Sequence, residues 1–393
     1  MREITDYCTG CRACENVCPK HCISMKSDKE GFLYAEIDHS VCVDCGACKK
    51  TCPQNLKIVN DYPIKIYALR AKNAQLLNKS ASGGAFAVMA NYILQHGGVV
   101  FGAAYDDNMH VKHIKVSDQS DLWRLQNSKY VQSDTESTYK EVKTLLKNGV
   151  LVLYSGTPCQ IAGLRSFLRK DFENLITMDI VCHGVPSPKI FAKYIKWQSN
   201  KLGEQVNYCN FRDKADGWGQ SLVLKTAPSR RRLSIIGPSD PFYYNFLEGN
   251  LHRPCCYKCH YASSHRPADI TVGDYWGIER EHKHFYNYKG VSLLMLNNWH
   301  ALNFFQNFTD DFYIEESTFE KASRKNGNLR AASNVGPKRD TLYARIDDLS
   351  PEDYFEKELS VPRTMKNRIK AMMPEKMRLL MKIMKTYACS CQR

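Results

Sequence analysis

Several familiar signals are missing from this sequence of 393 residues. No stretch approaches the roughly eighteen uninterrupted apolar residues of a membrane-spanning helix, and Met1-Arg2-Glu3-Ile4-Thr5-Asp6 carries no apolar signal region. No Gly-x-Gly-x-x-Gly follows a predicted strand; Gly83-Gly84 and Gly97-Gly98 lack the spacing, so the usual dinucleotide fingerprint is absent. No recognised nucleic-acid motif accompanies the formal charge of +14, so nucleic acid is excluded as a partner. These absences predict a cytoplasmic protein whose cofactor phosphates, if it binds any, need another cradle.

The charge is unevenly spread. Arg363 to Arg393 holds nine Lys or Arg against one Glu, which is +8 of the +14, leaving +6 for the other 362 residues. Pro374 divides this basic tail into a short helix ending near Met373 and a longer one starting at the proline. Ile369, Met372, Met373, Met377, Leu380, Met381 and Met384 fall on one helical face, opposite Lys370, Lys376, Arg378, Lys382 and Lys385. Such a basic amphipathic helix suits docking to a partner or to the inner face of a membrane, or packing on its own domain with the basic face solvated. Cys389 and Cys391 read as free thiols on a frayed end.

Cysteine is plentiful, at 17 residues, and its placement is informative. Cys8-x2-Cys11-x2-Cys14-x3-Cys18-Pro19 is repeated as Cys42-x2-Cys45-x2-Cys48-x3-Cys52-Pro53. This is the spacing of a two-cluster bacterial ferredoxin, in which three close thiolates grip one 4Fe-4S cube and the fourth reaches across to the other. The assignment is Cys8, Cys11, Cys14 and Cys52 on one cube, with Cys42, Cys45, Cys48 and Cys18 on the second. Zinc is the competing use of Cys-x2-Cys pairs, but two matching four-cysteine runs favour iron–sulfur. Between the halves, Ile23–Met25 and Leu33–Ile37 read as strands around the turn Asp28-Lys29-Glu30-Gly31. Cys22 lies outside the repeated phrase and reads as structural.

After a linker at Gln54–Pro63, strand and helix signals alternate. Strands are predicted at Ile64–Ala71, Gly98–Tyr105, Met109–Val116, Val150–Tyr154 and Leu175–Val181. Helices are predicted at Gly84–Gln95, Glu136–Leu146, Gln160–Leu168 and Ser187–Ser199. The alternation argues for an α/β (α+β) domain. Beyond about residue 204 strands dominate, at Gln205–Phe211 and Gln220–Thr226. The expected organisation is a ferredoxin-type domain at 1–60, an α/β part at 61–203, a second part at 204–335, and the linker and basic helical tail at 336–393.

Two constellations in the body carry chemistry. Ser80-Ala81-Ser82-Gly83-Gly84 opens a helix, where free backbone N–H groups favour an anion; a plain serine cap is the alternative. Cys159 and Cys182 follow predicted strands and should share one edge of a parallel sheet, where ligand sites form. With the clasp Cys256-x2-Cys259 they could hold a third cluster, or Cys256 and Cys259 could bind zinc with His252 or His260. Cys255 could replace Cys256, whereas Cys209, within a strand, reads as buried.

Six motifs in order resemble the beta-subunit family of coenzyme F420 hydrogenases and dehydrogenases over roughly residues 62 to 280. They are Ser82-Gly83-Gly84, Ser128-Lys129-Tyr130-Val131, Gly156-Thr157-Pro158-Cys159-Gln160, Cys182-His183-Gly184, Cys256-Tyr257-Lys258-Cys259 and Asp269-Ile270-Thr271-Val272-Gly273-Asp274-Tyr275-Trp276-Gly277. The resemblance implies a flavin-binding domain with FAD beside the Ser-Gly-Gly turn and Ser128, Lys129 and Tyr130, and a third 4Fe-4S cluster on Cys159, Cys182, Cys256 and Cys259. Lys129 would pair with a flavin phosphate or the ring. Asn127 stands where the family commonly has glycine; Asn imitates glycine best in a left-handed turn. The implied function is an oxidoreductase passing electrons between a hydride carrier, coenzyme F420 or NAD(P)H, and a one-electron redox partner or ferredoxin. The alternative is an accessory subunit that relays ferredoxin electrons to a separate catalytic partner.

Overall fold

The structure, a computed structural model, describes residues 7–56, 59–362 and 373–390. In its first fifty residues the sequence duplication becomes a backbone duplication. Helix α1 (Ala13–Val17) is entered through Arg12 at φ 60°, ψ 8° and left through Cys18 at φ −66°, ψ 114°. Helix α2 (Ala47–Thr51) is entered through Gly46 at φ 70°, ψ 6° and left through Cys52 at φ −67°, ψ 118°. Strands β1 (Ile23–Ser27) and β2 (Leu33–Ile37) pair antiparallel between them, around a turn in which Gly31 takes φ +89°.

The body is organised by an eight-stranded mixed sheet. Its members are β3 (Lys65–Ala71), β4 (Val99–Tyr105), β5 (Val111–Val116), β6 (Val152–Gly156), β7 (Leu175–Ile180), β11 (Ile270–Asp274), β12 (Ser292–Leu296) and β13 (Phe312–Glu316). The order is β13-β3-β12-β11-β7-β6-β4-β5, with β4, β6, β7 and β11 mutually parallel. Every residue of β12 is buried, as expected of a central strand covered on both faces. Helix α3 (Ala85–Gln95) covers one face through Val88, Met89 and Ile93. Helices α4 (Thr138–Lys147) and α5 (Pro158–Leu168) cover the other, in a core that also takes in Cys11 and Ala13 of the ferredoxin part.

The predicted change of pattern at residue 204 does not divide the large sheet, since β11, β12 and β13 lie beyond it and complete it. Of the described strands beyond residue 204, β8 (Gln205–Asn210), β9 (Ser221–Ala227) and β10 (Arg232–Ile236) stand apart as an antiparallel sheet of their own. It packs on α6 (Pro188–Leu202) and α7 (Pro241–Leu247) around Phe191, Phe211 and Phe242. Helix α6 shows its limits in sequence: the Ser187 Oγ accepts from the Lys189 N–H, Pro188 opens the first turn, and Gly203 closes it at φ +70°.

The tail departs from expectation. The helix expected before Pro374 falls largely outside the described residues, while α8 (Glu375–Ser390) docks on the body by its basic side. Arg378 Nε lies 2.6 Å from Asp216 Oδ2, Lys382 Nζ 3.4 Å from Asp216 Oδ1 and Lys385 Nζ 3.1 Å from Glu279. Thr386 Oγ1 accepts from the Tyr288 N–H. Met377, Leu380, Met381, Met384 and Tyr387 therefore point to solvent, each more than half exposed. Cys389 is buried against Trp218 and Tyr286 rather than frayed. Among the described residues no helix is long and apolar enough to cross a membrane.

Candidate iron–sulfur and flavin sites

Three groups of thiols assemble. Cys8, Cys11, Cys14 and Cys52 lie close enough for their charges to interact. Cys18, Cys42, Cys45 and Cys48 line a cavity of about 270 Å³. Cys22 lines it too, its Sγ 3.4 Å from that of Cys18, a fifth thiol that its position outside the repeat concealed. Cys159, Cys182, Cys255, Cys256 and Cys259 share a third, narrower cleft of about 50 Å³. Among the described residues no three His, Cys, Asp or Glu side chains could hold a single metal ion. A cubane, in contrast, is gripped at separate corners.

The third cleft is built by strand ends and caps. Strands β6 and β7 run parallel, and the chain after each supplies Cys159 and Cys182 at one edge. Thr157 and Gln160 form a reciprocal capping box with Pro158 at the first helical position, which fixes Cys159 at the mouth of α5. Cys259 leaves its turn at φ −67°, ψ 117°, within a few degrees of Cys18 and Cys52. The clasp thus repeats a backbone exit used twice in the ferredoxin part.

The donor chemistry fits iron–sulfur clusters. Burial raises the thiols of Cys14, Cys48, Cys52, Cys159 and Cys259, and pushes those of Cys11 and Cys182 up to about 12. Such thiols stay protonated unless a bound cation stabilises the thiolate. The first and third groups are neighbours: Gly163 of α5, one turn beyond Cys159, faces Cys11, and the Tyr261 phenol feels Cys159, Cys259, Cys11 and Cys52 together.

The segments expected around a flavin meet at residues that sequence reading did not select. Arg212 makes a double ion pair with Asp274, at 2.5 and 2.8 Å, and also reaches the Tyr130 hydroxyl and the Ala81 carbonyl, each at 3.4 Å. Trp218 Nε1 donates to Asp274 at 2.6 Å, and its ring stacks on Trp276 at 5.0 Å. Lys214 Nζ binds the carbonyls of Leu77 and Ser82. An arginine and a lysine two residues apart after a strand are too common a pattern to mark a site.

The individual residues hold local roles as well. Ser80 Oγ donates to the Leu76 carbonyl and Ser82 Oγ to that of Val291. A Cβ on Gly83 would collide with the Leu69 carbonyl and the Ser292 N, so strand contact alone requires glycine there. Gly84 enters α3 at φ +89°. Lys129 Nζ binds the carbonyls of Arg124, Gln126 and Asn127, and burial pushes its ammonium down to about 7. Asn127 takes φ +67°, the left-handed conformation expected of a glycine substitute. Ser128 is half-buried beside it. His252 is fully buried and neither ring nitrogen has a hydrogen-bond partner among the described residues; it packs edge-on to His183 behind the third cleft.

A pair of N-terminal thiol sites fused to an α/β domain with sheet-edge cysteines defines an iron–sulfur protein of the electron-transfer class. Residues 7–56 match the model of a 4Fe-4S dicluster domain, and residues 150–322 match that of the C terminus of the coenzyme F420 hydrogenase/dehydrogenase beta subunit. Over residues 150–322 the chain thus resembles the C-terminal domain of that beta subunit, and a ferredoxin-type domain precedes it. A solved structure of the F420-reducing NiFe hydrogenase complex from Methanosarcina barkeri is 17% identical over 76% of this chain and 91% of its own, with a TM-score of 0.45. No curated protein matches the chain.

Proposed function

We propose that the chain is an FAD-linked iron–sulfur oxidoreductase that passes electrons between a two-electron hydride carrier, coenzyme F420 or NAD(P)H, and one-electron acceptors. The observation that carries this reading is the contact of the third thiol group with the inner ferredoxin group through α5. When bound, FAD exchanges electron pairs for single electrons, and 4Fe-4S clusters carry the single electrons.

The chain's own residues would set the order and exclude water. Cys159, Cys182, Cys256 and Cys259 would hold the third cluster, beside Cys8, Cys11, Cys14 and Cys52. Exposed Cys45, with Val41 and Val43 also exposed, puts the outer ferredoxin group at the surface, suited to a redox partner. Arg212 and Lys214 would offer cationic groups to a flavin held at Ser80, Ser82, Gly83, Gly84, Ser128, Lys129 and Tyr130.

Anaerobically purified protein should contain one flavin and about twelve irons per chain, as three cubanes require. It should oxidise reduced coenzyme F420 or NAD(P)H with a viologen acceptor. About eight irons with intact ferredoxin spectra would remove the third cluster from the proposal. Full cofactor content without turnover on either donor would instead favour an accessory relay role. The outward apolar stripe of α8 supports that second reading, as a surface for a partner protein or for peripheral membrane contact.

A further inference from the structure

Arg253 is a buried cation without an acidic partner. Its side chain is 0% exposed, and among the described residues no carboxylate forms an ion pair with it. Its guanidinium donates to three neutral oxygens, Nε to the Cys8 carbonyl at 2.7 Å, Nη1 to Gln132 Oε1 at 3.0 Å and Nη2 to the Leu33 carbonyl at 2.8 Å, and it also meets the Cys255 thiol. Tyr34 and Phe32 present their rings to the guanidinium at 4.2 and 5.3 Å. The surroundings are shaped to admit it, for a Cβ on Gly10 would stand 3.1 Å from Nη1 and 2.7 Å from the Gln132 amide.

An ionised side chain withdrawn from water is costly unless a counter-charge or metal site accompanies it. The titratable groups that act on Arg253 are Cys255, Cys8, Tyr34 and Cys256, in that order, and three of the four are thiols. It lines the third cleft and reaches into the loop that carries Cys8 and Cys11. A 4Fe-4S cube held by four thiolates is a net anion and gains one further negative charge on reduction, and net charge is one of the levers on its potential.

We propose that Arg253 is the built-in counter-charge of the inner ferredoxin cluster, raising its reduction potential above that of the outer cluster and so directing electrons toward the junction with the third thiol group. It is a positioning residue that acts through electrostatics on the cluster. The inference needs the cluster on Cys8, Cys11, Cys14 and Cys52; it does not need the flavin. Among the described residues the outer group has no buried equivalent: the charged residues lining the cavity of Cys18, Cys42, Cys45 and Cys48 are Lys20, Lys49 and Asp44 at the surface, where solvent screens charge.

The test is an EPR-monitored redox titration of the full-length, anaerobically reconstituted protein, with iron counted for each sample. Arg253→Gln should lower one ferredoxin midpoint by the equivalent of about tenfold in the reduction equilibrium, about 59 mV for one electron. The other ferredoxin midpoint should not move, and Arg253→Lys should stay near wild type. Gln132→Glu sets a carboxylate against the guanidinium without removing it and should lower the same midpoint. Loss of the inner cluster in Arg253→Gln, with all clusters kept in Arg253→Lys, also supports a charge requirement. Unchanged midpoints in both Arg253→Gln and Gln132→Glu, or equal shifts of both clusters, would overturn the proposal. An iron count near eight rather than twelve identifies failure of the third-cluster reading separately.

Discussion

Gly163 and Cys11 are in contact across the junction of the two parts of the chain: a Cβ on Gly163 would stand 2.9 Å from the Cys11 Sγ and 3.0 Å from its Cβ. The helix that presents Cys159 at its mouth thus touches Cys11, a proposed inner-cluster ligand, one turn later. The Tyr139 hydroxyl, 3.1 Å from the same point and bound to the Gln160 carbonyl, closes the third side.

Gly163→Ala should therefore force the two parts apart. Overpacking of this kind costs about 1–3 kcal/mol. A lowered melting temperature of the iron-loaded protein and a broadened inner-cluster EPR signal are expected; an unchanged melt and spectrum would remove the close contact from the account.

Cys256→Ser and Cys255→Ser should behave differently. Cys256 and Cys259 repeat the three-residue spacing by which the ferredoxin thiols reach adjacent corners of a cube, whereas Cys255 sits off that spacing against Arg253. Cys256→Ser should lose about four irons per chain and Cys255→Ser none. The reverse pattern would assign the ligand to Cys255.

Lys214 should make stability rise with pH. Burial pushes its ammonium down to about 7, with Asp274 opposing the shift. An unfolded lysine stays protonated to about 10.4. Between these values the unfolded chain binds more protons than the folded one, so stability increases from pH 7 upward and is flat below, where both states are charged. The urea midpoint should climb between pH 7 and 9 more steeply in the wild type than in Lys214→Met; parallel slopes would refute it.

Asp216→Asn should release α8. Burial opposes ionisation of this carboxyl, but the Ser221 hydroxyl and the Lys382 and Arg378 cations hold it below the usual carboxylate range. Without the charge, both cations lose their anchor, and limited proteolysis within 373–390 should run several-fold faster while the body stays intact. Equal cleavage rates would show that the Lys385–Glu279 pair, the Thr386–Tyr288 hydrogen bond and the burial of Cys389 suffice to retain the helix.

Local chemistry made much of this legible. The thiol repeat and the hairpin turn at Gly31 act within a few residues and were read from the sequence, whereas the Thr157–Gln160 box and the Gly203 cap of α6, equally local, set helix ends that periodicity alone did not give. The position of β12 inside the sheet was not legible, because its partners β3 and β11 are set by long-range pairing. Periodicity separated the two faces of α8 but not which one turns inward, since Asp216 and Glu279 lie over a hundred and sixty and a hundred residues away. Arg212, Lys214 and Arg253 escaped notice because a lone basic residue reads as surface until its burial is known.

The sealing of the inner ferredoxin site has a further consequence. Cys11 is buried under α5, with Thr51 tied to Ser166 and Arg169, and Arg12 paired with Asp134. The junction closes over Cys11 while Cys8, Cys14 and Cys52 stay half-buried, so a cube bound there would tie the docking of the two parts to its own binding. Iron supply would then act on the stability of the whole joined chain rather than on a separable module, and the iron-loaded protein should melt higher than the iron-free one.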